Sequence, residues 1–216
     1  MVRLEGMRVE RSFAFLDLCG FTSYTAIEGD ERATNVLAEF RGIIRDIASR
    51  RGVRVAKWLV DGAMIVSVEP EPLVSAVLEI ERRVDDGHSA LPIRAGLGQG
   101  AVIPFDGDDY IGTPVNLAAR LCDAAGPREV LAVPDFCESC LPWAEAGEPY
   151  ELQVAGFAGP VQVIRLVVRS PGPATVTDPV CGLVLTAEFA VRRETGNGDT
   201  QLFCSESCAL AWSGSA

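Results

Sequence analysis

Histidine is nearly absent: His88 stands alone among 216 residues. A nucleophilic triad with a His base, or a His-rich metal centre, has almost no material here, and His88 itself lies in the polar stretch "DDGHSA", where it is expected to be solvated. Positive charge is also short. Lys and Arg number 19 against 30 Asp and Glu, for a formal net charge of −11. Nucleic acids and anionic membranes call for a basic patch, so neither is expected as a partner. No apolar run approaches the ~20 residues of a membrane span; "VQVIRLVV" is short and carries Arg165. The opening "MVRLEGMRVERSFAFL" has no long apolar segment of the kind that marks a secreted chain. A cytoplasmic protein is expected, with its 7 cysteines reduced or bound to metal rather than cross-linked. Internal repeats and low-complexity tracts are missing as well.

What is present is an ordinary globular composition, 48% hydrophobic and 23% charged, long enough for one domain of about 150 residues and a small addition. Residues 11–18 read as a buried strand. Val36, Leu37, Phe40, Ile43, Ile44 and Ile47 recur at helical spacing between Asp30 and Arg50. "VRVAKWLVDGAMIVSV" reads as two strands turning at Asp61-Gly62. A second amphipathic helix covers 70–86, and "LPIRAGLGQGAVI" is a glycine-punctuated strand followed by a turn in "GDDYIG". Thr113-Pro114 has the form of an N-cap and a first helical proline. "EVLAV" is a strand, Pro134–Leu141 a short helix, and "YELQVAG" with "VQVIRLVV" a closing strand pair. The order β-α-β-β-α-β with C-terminal additions predicts an α+β, ferredoxin-like split arrangement. "RSPGPATVTDP" has linker composition. Some 40 residues follow, too few for a sizeable core, so the tail is expected to need a staple such as a metal.

One strand ends in "DLCGFT", where a carboxylate follows a buried apolar run. Burying Asp17 is costly unless a charge meets it. In a split β-α-β arrangement that strand can lie beside the central hairpin, bringing Asp17 to Asp61 at one sheet edge. Paired carboxylates suit Mg²⁺ or Mn²⁺, and "CGFTS" can aim backbone N–H groups of Gly20, Phe21 and Thr22 at phosphates. Asn116 and Arg120 are four apart and share a helix face, an amide and a guanidinium fit for a ribose and a phosphate. Taken singly, each feature has a plainer reading. Asp61-Gly62 is a turn, Asp17 a helix cap, Lys57 a surface lysine and Arg120 the partner of a nearby acid.

Taken together, "FLDLCGFT", "KWLVDGAM" and "DDYIGTPVNLAAR" resemble three motifs of the class III nucleotidyl cyclase catalytic domain, in order and with its spacing. The resemblance runs from about Arg11 to Val168. It implies the cyclase variant of the ferredoxin-like fold over residues 8–169 and a homodimer with active sites shared between subunits. It implies adenylate cyclase activity, ATP giving 3′,5′-cyclic AMP and pyrophosphate with two Mg²⁺ or Mn²⁺ per site. Asp17 and Asp61 match the metal-binding aspartates, and Lys57 and Asp109 the pair that reads the purine in its adenine-selective form. Asn116 matches the ribose-orienting residue and Arg120 the residue that meets charge on the departing phosphates. Two positions depart from the pattern. Ala155 stands where the family commonly has a phosphate-contacting lysine, and Val60 where glycine usually precedes the second aspartate. These departures leave open a slow or inactive enzyme, a nucleotide-binding sensor on the same fold.

Beyond a linker at 170–176, residues 177–213 carry "DPVCGLVL" and "LFCSESCALAW". Cys181, Cys204 and Cys208 form C-x22-C-x3-C, a spacing in which two thiols share a helix face and a third closes the site. Thiolates select Zn²⁺, Cu⁺ or similar soft ions. The stretch resembles the YHS domain and the related TRASH-type module, which implies a small treble-clef-like metal-binding unit that tunes the cyclase or acts as a metal sensor in its own right. Its usual Met is Leu183 here, and no histidine is at hand as a fourth ligand. Cys137 and Cys140 form a C-x2-C read as ordinary helix cysteines, and Cys19 and Cys122 read as packing residues.

Overall fold

The computed structural model describes residues 7–137, 143–169, 174–195 and 198–212. A nine-stranded sheet runs in the order β2 (Arg54–Trp58), β3 (Gly62–Ser67), β1 (Val9–Leu18), β4 (Ile93–Phe105), β6 (Val130–Ala132), β9 (Val161–Val168), β7 (Ala144–Ala146), with β5 (Asp109–Ile111) paired to β4 and β8 (Tyr150–Leu152) to β9. The first four strands are antiparallel neighbours in ferredoxin-like order, as the β-α-β-β-α-β reading expects. The period of two along β1 sets the layers. Ala14, Leu16 and Leu18 join a core with α2 (Asp30–Arg51) and α3 (Pro70–Arg83), while Phe13 packs with Val66, Val102 and Ala118 on the side of α4 (Thr113–Ala124).

The differences from the sequence reading are local. A helix α1 (Phe21–Glu28) precedes α2; it buries no residue, so it leaves no apolar periodicity to detect. The hairpin turns through residues 59–61, and Gly62 already belongs to β3. Asp109–Ile111 is a strand rather than part of a turn, since it pairs with Ile103–Phe105. Gly112, not Thr113, sits at the α4 N-cap, with no side-chain cap bond. Of the short helix at 134–141, Pro134–Cys137 is 3-10, and the rest lies outside the described residues.

The tail forms two hairpins, β10 (Thr175–Thr177) with β11 (Val184–Thr186) and β12 (Val191–Glu194) with β13 (Thr200–Phe203), then α5 (Glu206–Ala211). Its buried Leu183, Leu185, Phe203 and three cysteines belong to the same hydrophobic cluster as α2, α3 and the sheet. The Trp143 indole N–H donates to the Cys204 carbonyl at 2.6 Å. A shared core couples unfolding of its parts. Phe203 is 0% exposed. Phe203→Ala therefore costs about 3–5 kcal/mol and lowers the melting temperature of the whole chain by about 6–20 °C in one calorimetric transition. Two transitions, with only one shifted, would show that the tail folds separately.

Candidate active site and thiol cluster

The antiparallel register places Asp17 of β1 opposite Gly62 on one side and Arg94 of β4 on the other. The Leu18 N–H donates to the Asp61 carbonyl at 3.0 Å, which ties the hairpin loop to the end of β1. The Asp61 backbone thus lies beside the end of β1, and the Asp61 charge acts on the Asp17 carboxyl. Arg94 donates to Asp17 Oδ2 through Nε at 2.8 Å and lies 2.7 Å away through Nη2. Burial pushes the Asp17 carboxyl up, the Arg94 hydrogen bond pulls it down, and the Asp61 charge pushes it up again, for a net rise. Two neighbouring carboxylates, one of them paired with a single cation, are the kind of oxygen donors that a hard divalent ion takes.

Two features of this corner left no pattern in the sequence. Arg94 is one, an arginine inside an apolar strand. Arg41 is the other: from α2 it donates to the Leu59 carbonyl at 2.9 Å, and its guanidinium and that of Arg45 lie 5.3 and 4.9 Å from the Trp58 ring centre. Helix α2 thereby grips the loop that carries Asp61. Below Asp17 the chain turns at Gly20, whose φ of 80° is left-handed, and α1 begins with no side-chain cap. Phe21 and Thr22, whose N–H groups the sequence reading assigns to phosphates, form its first turn.

Lys57 Nζ donates to Asp109 Oδ1 at 2.5 Å, joining β2 to β5. Both side chains are about half exposed, 50% and 47%, so the pair is weak and open to competition from a ligand. Next to it Arg54 pairs with Asp108 and donates to the Tyr110 hydroxyl at 2.6 Å. Helix α4 lies directly against β4 because Gly96 and Gly98 leave room; a Cβ at these positions would come within 2.1 Å of the Cys122 nitrogen and 2.5 Å of the Pro114 oxygen. That contact presents Asn116 and Arg120 to a cleft of about 380 Å³, lined also by Thr113, Ala155, Gly156 and Phe157. Ala155 therefore shares a cleft with the two residues its expected lysine would assist. Arg120 pairs with Asp123 at 3.0 Å, an exposed i,i+3 contact that a phosphate can displace.

In the tail the Sγ atoms of Cys181 and Cys208 each lie 3.6 Å from that of Cys204. A carboxylate oxygen of Asp178 completes a buried group of four donors within 4.8 Å of one another. Asp178 is the residue the sequence reading lacked, although it opens the quoted "DPVCG". Its Oδ1 accepts from the N–H of Val180 at 2.7 Å and of Cys181 at 3.1 Å, and its Oδ2 from the N–H of Cys204 at 2.6 Å. The carboxylate thus clamps together the two segments that supply the thiols. Contacts from Cys181, Cys208 and the Arg51 guanidinium hold Cys204 well below the ordinary thiol range, and the bond to Cys204 pushes Cys181 up. Tetrahedral Zn–S bonds of 2.3 Å separate sulfurs by about 3.8 Å, so this spacing suits a soft ion. Elsewhere Cys122 is buried and pushed up to about 12 by that burial, an inert packing thiol. Cys19 is free and half-buried beside Asp17. Cys140 and the side chains of Cys137 and His88 lie outside the described residues. Among the described residues no helix is long and apolar enough to cross a membrane.

No family model matches the chain. An uncharacterised protein of Mycobacterium tuberculosis (strain H37Rv) is 37% identical over 153 residues, 70% of this chain and 40% of that protein. A pH-sensitive adenylate cyclase of Mycobacterium tuberculosis (strain CDC 1551) is 32% identical over 161 residues, 71% of this chain and 39% of that protein. The chain thus matches about two fifths of these relatives' lengths. The crystal structure of the adenylyl cyclase CyaB from P. aeruginosa matches with a TM-score of 0.66 at 24% identity, over 77% of this chain and 98% of that one. The chain has the α+β fold of adenylyl and guanylyl cyclase catalytic domains.

Proposed function

We propose that the chain is a class III adenylate cyclase that converts ATP to 3′,5′-cyclic AMP and pyrophosphate at sites shared by two copies. The observation that supports this reading is the Asp17–Gly62 register between β1 and β3, which with the Leu18 N–H bond to the Asp61 carbonyl sets the Asp61 loop beside the end of β1. The name of the 32%-identical relative supports it. Divalent ions on these two carboxylates would neutralise the triphosphate and make the ribose 3′-hydroxyl easier to ionise.

The chain's own groups do the rest by position and charge. The first N–H groups of α1 meet phosphate oxygens beside Asp17. Lys57 donates to a ring nitrogen of adenine while Asp109 accepts from its amino group, which separates adenine from guanine. Asn116 orients the ribose so that the 3′-oxygen lies in line with the α-phosphorus. The new 3′-oxygen–phosphorus bond forms as the bond to the bridging oxygen breaks, and Arg120 meets the charge that gathers on pyrophosphate. Exposed Val60 on the hairpin loop and exposed Phe105 and Ile111 on the β4–β5 arm flank the site groups, as apolar surface awaiting a second copy would.

The test is an assay of purified protein with ATP and GTP in Mn²⁺, for wild type and Asp17→Ala. Cyclic AMP from the wild type alone is expected; equal rates in both would defeat the reading. A second reading, a nucleotide sensor with little turnover, is favoured by Ala155 in the Asn116–Arg120 cleft. ATP binding by calorimetry without product would support it. Under the first reading Ala155→Lys supplies a missing cation in that cleft and raises kcat by about tenfold or more, given what one preorganised donor contributes. An unchanged kcat would show that no phosphate passes that wall.

The tail, on this reading, is a YHS-type unit in which Cys181, Cys204 and Cys208 hold Zn²⁺ or Cu⁺, with Asp178 at the fourth corner. The hairpins leading into the cysteine-bearing start of α5 agree with a treble-clef-like arrangement. An ion there regulates the cyclase or is the signal the protein senses.

A further inference from the structure

We propose that Arg51, on α2 of the cyclase-like domain, is a positioning residue of the thiol cluster, supplying from outside the tail the positive charge that a tri-thiolate ion complex requires. This rests on the reading of the tail as a soft-metal site. The Arg51 side chain is 0% exposed. Its Nε donates to Glu79 Oε2 at 2.9 Å, which fixes the guanidinium plane. Nη2 lies 2.8 Å from the same Glu79 oxygen and also donates to Cys204 Sγ at 3.3 Å, while Nη1 turns to the tail and donates to the Ser205 hydroxyl at 2.8 Å. Ser205 in turn caps α5, its hydroxyl accepting from the Cys208 N–H at 3.3 Å. One guanidinium therefore touches one cluster sulfur and steadies the turn that carries two.

The charge count explains why an arginine stands here. Three thiolates on Zn²⁺ leave an excess of one negative charge, on Cu⁺ of two, and Asp178 adds another, all in a buried place where unpaired charge is costly. Glu79 does not cancel Arg51, because Glu79 is shared: Arg50 Nη2 also donates to it, at 2.7 Å. Arg50 also pairs with Asp46, which Arg83 shares, so three guanidiniums meet two carboxylates and leave one positive charge, and Arg51 is the guanidinium that faces the sulfurs. Outer groups of this kind set how tightly a site holds its ion.

The test measures Zn²⁺ and Cu⁺ affinity of the full chain by competition with a chromophoric chelator. Arg51→Met with Glu79→Gln removes both members of the buried pair, and Arg50 keeps Asp46 as its partner, so no buried charge is orphaned to unfold the protein. That double variant is expected to bind the ion about 10–100-fold more weakly than wild type. Glu79→Gln alone, which loosens the same interdomain contact but leaves the cation, is expected to match wild type, and Arg51→Lys to recover most of the affinity. A merely structural role predicts equal affinities for the single Glu79 variant and the double variant, and that result overturns the proposal. Wild type that takes up neither ion would bring down the metal reading of the tail itself, a distinct failure. If the double variant does not fold, the single variants decide: affinities near wild type in both Arg51→Lys and Glu79→Gln are expected, and a loss of about tenfold or more in Glu79→Gln is the contrary result.

Discussion

Asp17→Ala is expected to lose cyclic AMP formation by about 10³-fold or more while keeping its fold. The size follows from what the carboxylate does. Without it the divalent ions lose a shared ligand, and with the ions goes the charge neutralisation that dominates phosphoryl transfer. The fold should survive because Asp17 is at a strand end and its partner Arg94 is 30% exposed, so water can take over the guanidinium. Circular dichroism and the melting temperature check this. A variant that is folded and retains a tenth of wild-type activity would show that the ions, or the chemistry, lie elsewhere. The same variant separates the two readings of the protein. An active wild type that Asp17→Ala silences is an enzyme; a wild type that binds ATP without turnover is a sensor, whatever the variant does.

Much of this was legible in the sequence because it follows from short-range pattern. The buried helix α2, the strand before "DLCG" and the hairpin before "DGAM" have strong periodicity, and in the split β-α-β order they set Asp17 opposite Gly62. The helix face carrying Asn116 and Arg120 follows from their spacing alone. What escaped notice depends on tertiary contact. Helix α1 fully buries no residue, only half-burying Phe21 and Tyr24, and so has no clear signature. Arg94 in an apolar strand and Arg51 at a helix end have no local pattern; each acquires its partner only when strands or segments far apart in sequence meet, Arg94 with Asp17 and Arg51 with Cys204. Asp178 lies within a quoted motif, yet its work as a clamp on the Cys204 N–H spans a sequence distance that no spacing rule reaches.

The structure also alters how the tail is understood. A linker followed by a small module suggests a detachable unit, but Phe203, Leu183 and Leu185 are buried in the cluster that contains α2 and α3. Helix α2 meets the tail through Arg51 at its end and grips the Asp61 loop through Arg41 nearer its middle. The same helix thus touches both candidate sites.

On the proposed reading the acids of one copy work against Asn116 and Arg120 of a second copy. Mixing two inactive variants tests it most directly. Asp17→Ala and Arg120→Ala each spoil both sites of their own homodimer. A mixed dimer concentrates both defects in one site and leaves the other whole. Refolding or co-expressing the two in equal amounts makes half the dimers mixed, each with one of two sites intact, so activity should return to about a quarter of wild type. A mixture no more active than its separate components, with dimers confirmed by sedimentation, would place the whole site within one chain and contradict the account.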